Sequence, residues 1–176
     1  MKMVYAAGQS RLGWVLAAGD QAGVRFIGLC DQTDALFEDI IKRYPGVELT
    51  EDKEFMKPVI NKLLIYLAGE GKDLDIQTNL TGTPFQKRVW LALKQVPYGV
   101  VITYSHLAEN MGLGASSVRA VAHGCATNPV SLVVPCHRII RKEGGLGGYY
   151  WGLDRKRALL EMEGAFHKEA RQIGLF

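Results

Sequence analysis

Cysteine is scarce in this chain, and its spacing excludes two classes of small protein. The 176 residues contain three cysteines, Cys30, Cys125 and Cys136, an odd number without a Cys-x-x-Cys pair. A disulfide framework or a zinc knuckle needs paired, regularly spaced cysteines, so the pattern favours a reducing compartment instead. The four histidines are scattered as well, and the sequence therefore predicts no metal site.

Long hydrophobic runs are also missing. Although 48% of the residues are hydrophobic, no stretch of about eighteen apolar residues occurs that could cross a bilayer. Residues 1–5 lack the apolar run of a secretory signal. We therefore predict no membrane partner and a cytoplasmic protein, with a length that allows one good core or two small ones.

A strong excess of one charge is absent from the whole chain, whose net charge is +3. The distribution is uneven, because residues 1–80 hold nine Lys/Arg against twelve Asp/Glu and residues 81–176 hold twelve against six. A polyanion is therefore expected to dock on the second half. A modest excess of this kind is also typical of an ordinary solvated surface.

The first eighty residues predict a small α/β unit and contain no catalytic constellation. Three β-prone runs, 2–7, 11–18 and 24–29, are separated by turn residues and predict an antiparallel meander. Apolar residues at helical spacing predict one helix from about Thr33 and another after Thr50. Pro58 either kinks the second helix or marks its start. Residues 74–79 are compatible with one more edge strand, and the boundary to the second half is predicted at 80–82.

The second half reads as helical. Thr83 and Gln86 form a capping box around Pro84, which suits the first position of a helix. Two further helices are predicted over 104–111 and 115–125, joined by a short glycine-containing turn. This is the helix-turn-helix pattern, although many helix pairs with the same spacing serve only to pack.

A cysteine followed at once by a histidine and an arginine is the chemically distinctive feature of the chain. Cys136 follows Pro135, which restricts the backbone, and precedes His137 and Arg138. Imidazole and guanidinium groups nearby lower the pKa of a thiol and favour its nucleophilic thiolate form. On local chemistry alone, a reactive thiol and a small core side chain are equally good interpretations of Cys136.

The flanking residues favour the reactive interpretation. Val-Pro-Cys-His-Arg at 134–138, with Asn-Pro at 128–129 and Gly-Gly-Tyr at 147–149, resembles the O6-alkylguanine-DNA alkyltransferase family. The resemblance covers about residues 83–164 and is to the stand-alone members and the C-terminal domain of the bifunctional Ada proteins. It implies an α/β N-terminal domain at 1–80, ribonuclease H-like with a small antiparallel sheet. A mainly α DNA-binding and alkyl-acceptor domain would follow at 81–176, so the chain is expected to be either a stand-alone repair protein or an excised domain.

The family resemblance also implies an activity. Members reverse DNA damage directly, by transferring the alkyl group of O6-alkylguanine in duplex DNA irreversibly to a cysteine of their own. The resemblance thus implies a methyltransferase consumed in one turnover, without a cofactor, and O4-methylthymine as a further substrate. Its partner would be double-stranded DNA, bound through the minor groove with the damaged nucleotide flipped out, by a monomer that is capable of cooperative binding.

Four residues match the family's catalytic positions. Cys136 corresponds to the alkyl acceptor and His137 to its base, which acts through a bridging water. Glu163 lies in the motif Leu-Leu-x-x-Glu-Gly and would orient the imidazole. Asn128 would brace the turns around the site. The alternatives are a packed imidazole for His137, a solvated carboxylate at a helix end for Glu163, and an ordinary Asn-Pro turn for Asn128.

Further positions match the substrate and DNA contacts of the family. Substrate binding is implied for Tyr104, Tyr149 and Val134, and DNA binding for Arg119, Tyr104, Ser105, Ala120 and Lys142. Arg119 would take the place of the flipped nucleotide. We expect the cluster 155–157 to be a solvated helix face rather than a phosphate contact, with Asp154 capping that helix and Gly164 ending it. The bulky pair at 150–151 predicts a more crowded pocket mouth and poor use of large benzyl-type adducts.

Two other functions fit part of the pattern. A Cys-His hydrolase or acyltransferase would also use a thiol, an imidazole and a carboxylate, but the sequence shows no Gly-rich oxyanion loop. A non-catalytic damage-recognition protein would share the DNA-binding helices, but those relatives lack the acceptor cysteine, which is present here at Cys136.

Overall fold

The chain folds into two compact units. A computed structural model describes residues 1–165 and divides them into a first unit, 1–81 with 129–133, and a second unit, 82–128 with 134–165. The last eleven residues of the predicted second domain, 166–176, lie outside the described residues. Within residues 1–165, no helix has both the length and the apolar character that a membrane span requires.

A four-stranded sheet forms the centre of the first unit. Strands β1 (Lys2–Ser10), β2 (Gly13–Asp20) and β3 (Gly23–Cys30) make the predicted antiparallel meander. Strand β4 (Glu48–Glu51) pairs in parallel with β1, so the sheet is mixed, in the order β3-β2-β1-β4. Strand β4 was not predicted, because three of its four residues are polar and the strand is too short to show the apolar alternation that marks a half-buried strand. The suggested edge strand at 74–79 is wrong, since that segment makes a single bridge, from Thr78 to Val24.

Two helices complete the core of the first unit, α1 (Thr33–Arg43) and α2 (Lys53–Leu67). Asp52 caps α2 by accepting the Phe55 N–H at 2.9 Å, so the helix begins before Pro58 and encloses it. Each fully buried Leu or Ile side chain contributes roughly 1.5–3 kcal/mol. The core residues that these helices share with the sheet include Leu16, Ile27, Leu36, Ile40, Met56 and Leu63.

The short segment 129–133 also belongs to the first unit. The Ile27 N–H donates to the Pro129 carbonyl oxygen at 2.8 Å, and the Ser131 N–H donates to the Ile27 carbonyl oxygen at 3.2 Å. Leu132 lies in the left-handed region with φ of 74° and is buried. A branched hydrophobic residue is rarely found in this conformation, so the turn that leads to Cys136 holds local strain.

The second unit is mainly helical, as predicted. It contains α3 (Pro84–Lys94), α4 (Tyr104–Asn110), α5 (Val118–Ala126) and α6 (Leu153–Met162). The capping box of Thr83 and Gln86 is confirmed. A 3-10 turn at Ala115–Ser117 precedes α5 and forms the first part of the predicted third helix. Strands β5 (Ile102–Thr103) and β6 (Ile139–Ile140) pair in parallel, and neither their pairing nor this second sheet was predicted.

Close packing of α3 on α5 positions the helix pair α4–α5. The Trp90 indole N–H donates to the Gly124 carbonyl oxygen at 2.9 Å. A Cβ at Gly124 would lie 2.9 Å from Val89, so only glycine allows this approach. In α6, the predicted cap at Asp154 is wrong: the helix starts after Gly152, and Asp154 lies in its first turn. Gly164, with φ of 68°, ends that helix as predicted.

Candidate active site

Cys136 lies at the start of a one-turn 3-10 helix, Cys136–Arg138, that leads directly into β6. The Cys136 N–H donates to the Val134 carbonyl oxygen at 2.8 Å, and the Arg138 N–H donates to the Pro135 carbonyl oxygen at 3.0 Å. Pro135 cannot donate a backbone hydrogen bond, so the turn starts after it. Cys136 is 9% exposed, and its thiol is therefore fixed yet accessible.

The side-chain amide of Asn128 holds this turn in place. Its Nδ2 donates to the Val134 carbonyl oxygen at 2.7 Å and to Cys136 Sγ at 3.2 Å. A hydrogen bond to sulfur stabilises the thiolate form more than the thiol. Asn128 thus braces the turn, as the sequence motif implies, and also contacts the nucleophilic atom itself.

Glu163 is the point on which the polar groups of the site converge. Its Oε1 accepts His137 Nε2 at 2.7 Å and Arg138 Nη2 at 3.1 Å. Its Oε2 accepts Arg138 Nε at 2.9 Å and the Gly99 N–H at 3.0 Å. A Cβ at Gly99 would lie 2.8 Å from the Glu163 carbonyl oxygen, so this turn needs glycine. Glu163 is a buried acceptor for four donors and not a solvated residue at a helix end.

These contacts fix the ionisation of the pair. Burial opposes the charged form of Glu163, but hydrogen bonds and charge from His137 and Arg138 outweigh it and hold the pKa of Glu163 well below its usual value. Burial lowers the pKa of His137, against the opposing effect of Glu163. A carboxylate only accepts hydrogen bonds, so His137 Nε2 carries a proton and Nδ1 holds the free electron pair. His137 is therefore a neutral imidazole with a basic nitrogen.

Cys136 opens onto a cavity of about 490 Å³ within the second unit. Burial is the main factor that raises the pKa of Tyr104 to about 12, so its phenol stays protonated and able to donate. A Cβ at Gly147 would lie 3.1 Å from the Tyr104 ring, which explains a glycine with φ of 71° there. The cavity is lined by Tyr104, Ala122, Cys125, Ala126, Cys136, Arg141, Gly148, Tyr149 and Tyr150.

The two bulky residues after Tyr149 play different parts. Tyr150 lines the cavity and is 51% exposed, as expected of a residue at its mouth. Trp151 does not line the cavity; it is buried and packs edge-to-face on Tyr150, with 4.8 Å between ring centroids. The expectation that both narrow the entrance is therefore wrong for Trp151, which supports Tyr150 from behind.

Comparison with known proteins agrees with this geometry. Residues 84–165 match the model of the DNA-binding domain of 6-O-methylguanine DNA methyltransferase. A methylated-DNA–protein-cysteine methyltransferase of Methanosarcina acetivorans is 38% identical over 93% of this chain and 99% of its own length. The chain belongs to this methyltransferase family. The inducible enzyme of Bacillus subtilis is 39% identical over 80% of this chain and 79% of its own length. The crystal structure of the Mycobacterium tuberculosis protein in complex with DNA matches with a TM-score of 0.77 and 32% identity, over 93% of this chain and 94% of the other.

The residues matched to the family's DNA contacts occupy accessible positions of the second unit. Arg119 and Ala120 are exposed on the first turn of α5, and Ser105 is half-buried at the start of α4. Lys142 is exposed in the loop after β6. Val134, matched to a substrate contact, is fully buried and does not line the cavity; its carbonyl oxygen is held by Asn128.

Two cations of the site were missed by sequence reasoning. Arg138 is buried against Glu163, although its place in the family motif gave a signal for it. Lys156 was expected on a solvated helix face, but it is fully buried, and its ammonium donates to the carbonyl oxygens of Ile139 at 2.5 Å and Gly148 at 3.2 Å. The interpretation of 155–157 as solvated is wrong for Lys156, because α6 turns this position toward the core.

A second thiol, that of Cys125, lines the same cavity and was not assigned from the sequence. Burial is the main factor that raises the pKa of this thiol, with a further contribution from Cys136, so Cys125 stays protonated. Within residues 1–165, no group of three or more His, Cys, Asp or Glu side chains is arranged to hold a metal ion.

Proposed function

We propose that this protein repairs alkylated DNA directly, by moving the methyl group of O6-methylguanine to its own Cys136. One observation carries the proposal: a thiol held by Asn128 at 3.2 Å opens onto a cavity, next in sequence to an imidazole that is bound to a buried carboxylate. Nucleophile, base and orienting group are thus present on a fixed framework. Membership of the methyltransferase family supports the same chemistry.

The transfer step uses these residues as follows. The thiol proton of Cys136 passes through a bridging water to His137 Nδ1, and Glu163 stabilises the imidazolium that forms. The thiolate attacks the methyl carbon, so an S–C bond forms while the C–O6 bond breaks. The bonding electron pair leaves with guanine, which takes up one proton from solvent, and the His137 imidazolium returns its extra proton to solvent. Tyr104 donates a hydrogen bond to this departing base. The thioether is stable, so each molecule reacts once.

A flipped nucleotide is the form of substrate that fits the cavity. The methyl group on O6 lies inside a stacked duplex, and flipping the nucleotide costs roughly a few kcal/mol. A cavity of about 490 Å³ with tyrosine walls falls in the size range of small-molecule sites and offers faces for stacking. Tyr104 and Tyr149 are the substrate contacts that we propose, with the backbone near Val134 as a further one.

Binding to double-stranded DNA is proposed for the helix pair α4–α5. The start of α5 presents Arg119 beside the small side chain of Ala120, which allows close approach to the minor groove while Arg119 fills the space left by the flipped nucleotide. Ser105 and Lys142 supply further contacts to the backbone. The similarity to the Mycobacterium tuberculosis protein solved in complex with DNA supports this arrangement. Binding should weaken steeply with salt.

Several further properties complete the proposal. The second domain, 81–176, carries DNA binding and alkyl transfer, and the α/β domain, 1–80, carries no catalytic residue. We propose a monomer that binds DNA cooperatively, accepts O4-methylthymine as well as O6-methylguanine, and acts in the cytoplasm or on the nucleoid. These properties rest on the family relationship.

The mass of the intact protein, after mixing with a short duplex that bears one O6-methylguanine, tests the proposal. We expect a gain of one methyl group per molecule, stopping at one. Cys136→Ala should gain none. Cys125→Ala is the matched control, because it removes the other thiol of the same cavity and should still accept one methyl group.

The failure of this experiment would be informative. A methyl group found on Cys125 would support the methyl-transfer activity but show that Cys125, and not Cys136, is the acceptor. No mass gain, with lesion DNA still bound tightly, would replace the proposal with a non-catalytic damage-recognition function.

A further inference from the structure

We propose that Arg138 is a positioning residue that keeps His137 available as the base, by neutralising the charge of Glu163. This inference rests on the proposed alkyl transfer, because it concerns the proton that Cys136 gives up. Arg138 itself touches neither the cavity nor the reacting atoms, since it is absent from the cavity wall. It acts through Glu163.

The geometry leaves Arg138 little freedom. Its Nε and Nη2 bind the two oxygens of Glu163 at 2.9 and 3.1 Å, and its Nη1 donates to the Val96 carbonyl oxygen at 2.6 Å. Its guanidinium carbon lies 5.7 Å from the centre of the Tyr98 ring. The side chain of Arg138 is 9% exposed and that of Glu163 is fully buried, so solvent screens this pair weakly.

Burial is the largest factor that lowers the pKa of His137, and the charges around the ring act in addition to it. A buried carboxylate 2.7 Å from an imidazole favours the imidazolium form and, acting alone, raises the pKa of a histidine. With Arg138 on both carboxylate oxygens, the two form a neutral pair, and the imidazole sees little net charge. Glu163 can then orient His137 without protonating it in advance.

The other groups that face His137 act in the same direction or carry no charge. Lys156 on α6 is a second cation that disfavours the imidazolium. The Tyr149 ring lies edge-on, with 6.4 Å between ring centroids. Cys136 is the adjacent residue and supplies the proton. Glu163 is the anion that contacts His137 directly, and Arg138 is the direct counterion of Glu163.

This arrangement has a direct chemical consequence. An imidazole that already carries two protons cannot accept a third from Cys136, so a permanently charged His137 would stop the transfer. Removal of the positive charge at Arg138 should raise the pKa of His137 and so increase the fraction of imidazolium at neutral pH. The rate of alkyl transfer would then recover only at higher pH, where His137 loses its extra proton.

The experiment measures the single-turnover rate of methyl transfer from O6-methylguanine duplex against pH. Arg138→Gln keeps a hydrogen-bond donor but removes the charge, whereas Arg138→Lys keeps the charge. We expect the rising limb of the profile to move to higher pH by about one unit or more in Arg138→Gln. In Arg138→Lys it should stay near its wild-type position, at a lower plateau rate. Arg11→Gln, an exposed arginine of the first unit, serves as the control.

NMR titration of the His137 ring gives a readout that does not depend on activity. Wild-type His137 should stay neutral, with its proton on Nε2, as pH falls through 6.5. In Arg138→Gln it should become protonated at a higher pH than in the wild type.

The outcomes distinguish a failure of the proposed role of Arg138 from a failure of the proposed alkyl transfer. A uniform loss of rate at every pH in Arg138→Gln, with the His137 titration unchanged, would show a merely structural role and overturn the inference. The same holds if wild-type His137 is already charged at neutral pH, a test that remains valid even when Arg138→Gln does not fold. A wild-type protein that transfers no methyl group would instead overturn the proposed function, while the NMR titration would still decide the charge balance.

Discussion

Replacement of Lys156 by Met tests whether a buried cation holds the active-site turn and the Tyr149 loop together. Methionine keeps most of the length and apolar packing of the side chain but removes the ammonium. The ammonium donates to the carbonyl oxygen of Ile139, in the strand that follows Cys136, and to that of Gly148, next to Tyr149. Both sides of the cavity would thus lose a common anchor.

The size of the effect follows from two opposing terms. The Ile139 carbonyl oxygen is buried, and leaving it without its donor costs about 1–3 kcal/mol. Gly148 is exposed, so the loss of its hydrogen bond costs only about 0.5–1.5 kcal/mol. Relief of the desolvation of a buried ammonium offsets part of this loss. We therefore expect a net loss of about 1–3 kcal/mol in the free energy of unfolding. For a chain of this length that corresponds to a fall in Tm of roughly 2–12 °C.

Thermal unfolding followed by circular dichroism checks this magnitude. Lys87→Met is the matched control, because it makes the same substitution at an exposed lysine of α3 in the same unit, and it should change stability by less than about 0.5 kcal/mol. At a temperature where Lys156→Met is fully folded, its methyl-transfer rate should also fall. A Tm within 2 °C of the wild type (roughly 1 kcal/mol or less) would refute the view that this buried charge is structurally necessary.

Three further predictions concern the same site. Acidification should lower Tm in two stages, because the unfolded chain takes up a proton at His137 below about pH 6.5 and at Glu163 below about pH 4.5. In the folded chain, burial depresses the pKa of His137, whereas for Glu163 the contacts with His137 and Arg138 outweigh burial and depress its pKa. A melting series from pH 8 to 3 checks this, and Glu163→Gln should remove the lower stage. Asn128→Ala should slow methyl transfer by about tenfold or more, since it removes donors to Val134 and Cys136 worth about 1–3 kcal/mol; single-turnover kinetics would contradict this if the rate were unchanged. Tyr150→Ala should speed the transfer of a benzyl group from O6-benzylguanine in single-turnover kinetics while the methyl rate changes little, and an equal change for both adducts would exclude Tyr150 as the size filter.

Much of the fold could be predicted because its signals are local. The meander of β1–β3 follows from alternating apolar residues and turn residues, and the capping box at Thr83 and Gln86 fixes where α3 starts. Strand β4 and the β5–β6 pair could not be predicted, because two to four residues join a sheet through backbone pairing that leaves no periodic pattern. The positive φ of Leu132 has no sequence signal either, since it is imposed by the surrounding structure.

The candidate site divides in a similar way. A recognisable motif placed Cys136, His137 and Glu163 in one site, and the structure brings the last two into contact at 2.7 Å. Lys156 was wrongly expected to be solvated and the buried position of Arg138 was missed, because a charged side chain is normally solvated. Only the three-dimensional arrangement supplies the buried acceptors that make the burial of these two cations tolerable. For the other site residues, the roles toward DNA and substrate that the family relationship implies remain predictions.

The position of segment 129–133 in the first unit matters for any attempt to divide the chain into fragments. The first unit is completed by residues that follow its main part, 1–81, after an intervening stretch of forty-seven residues. A fragment 1–81 would therefore leave the backbone N–H and C=O of Ile27 without their partners in Pro129 and Ser131. No single cut within residues 82–128 therefore yields an N-terminal fragment that contains the complete first unit. A split version of this protein would require complementation, with the short segment supplied in trans as a peptide that adds to the edge of β3.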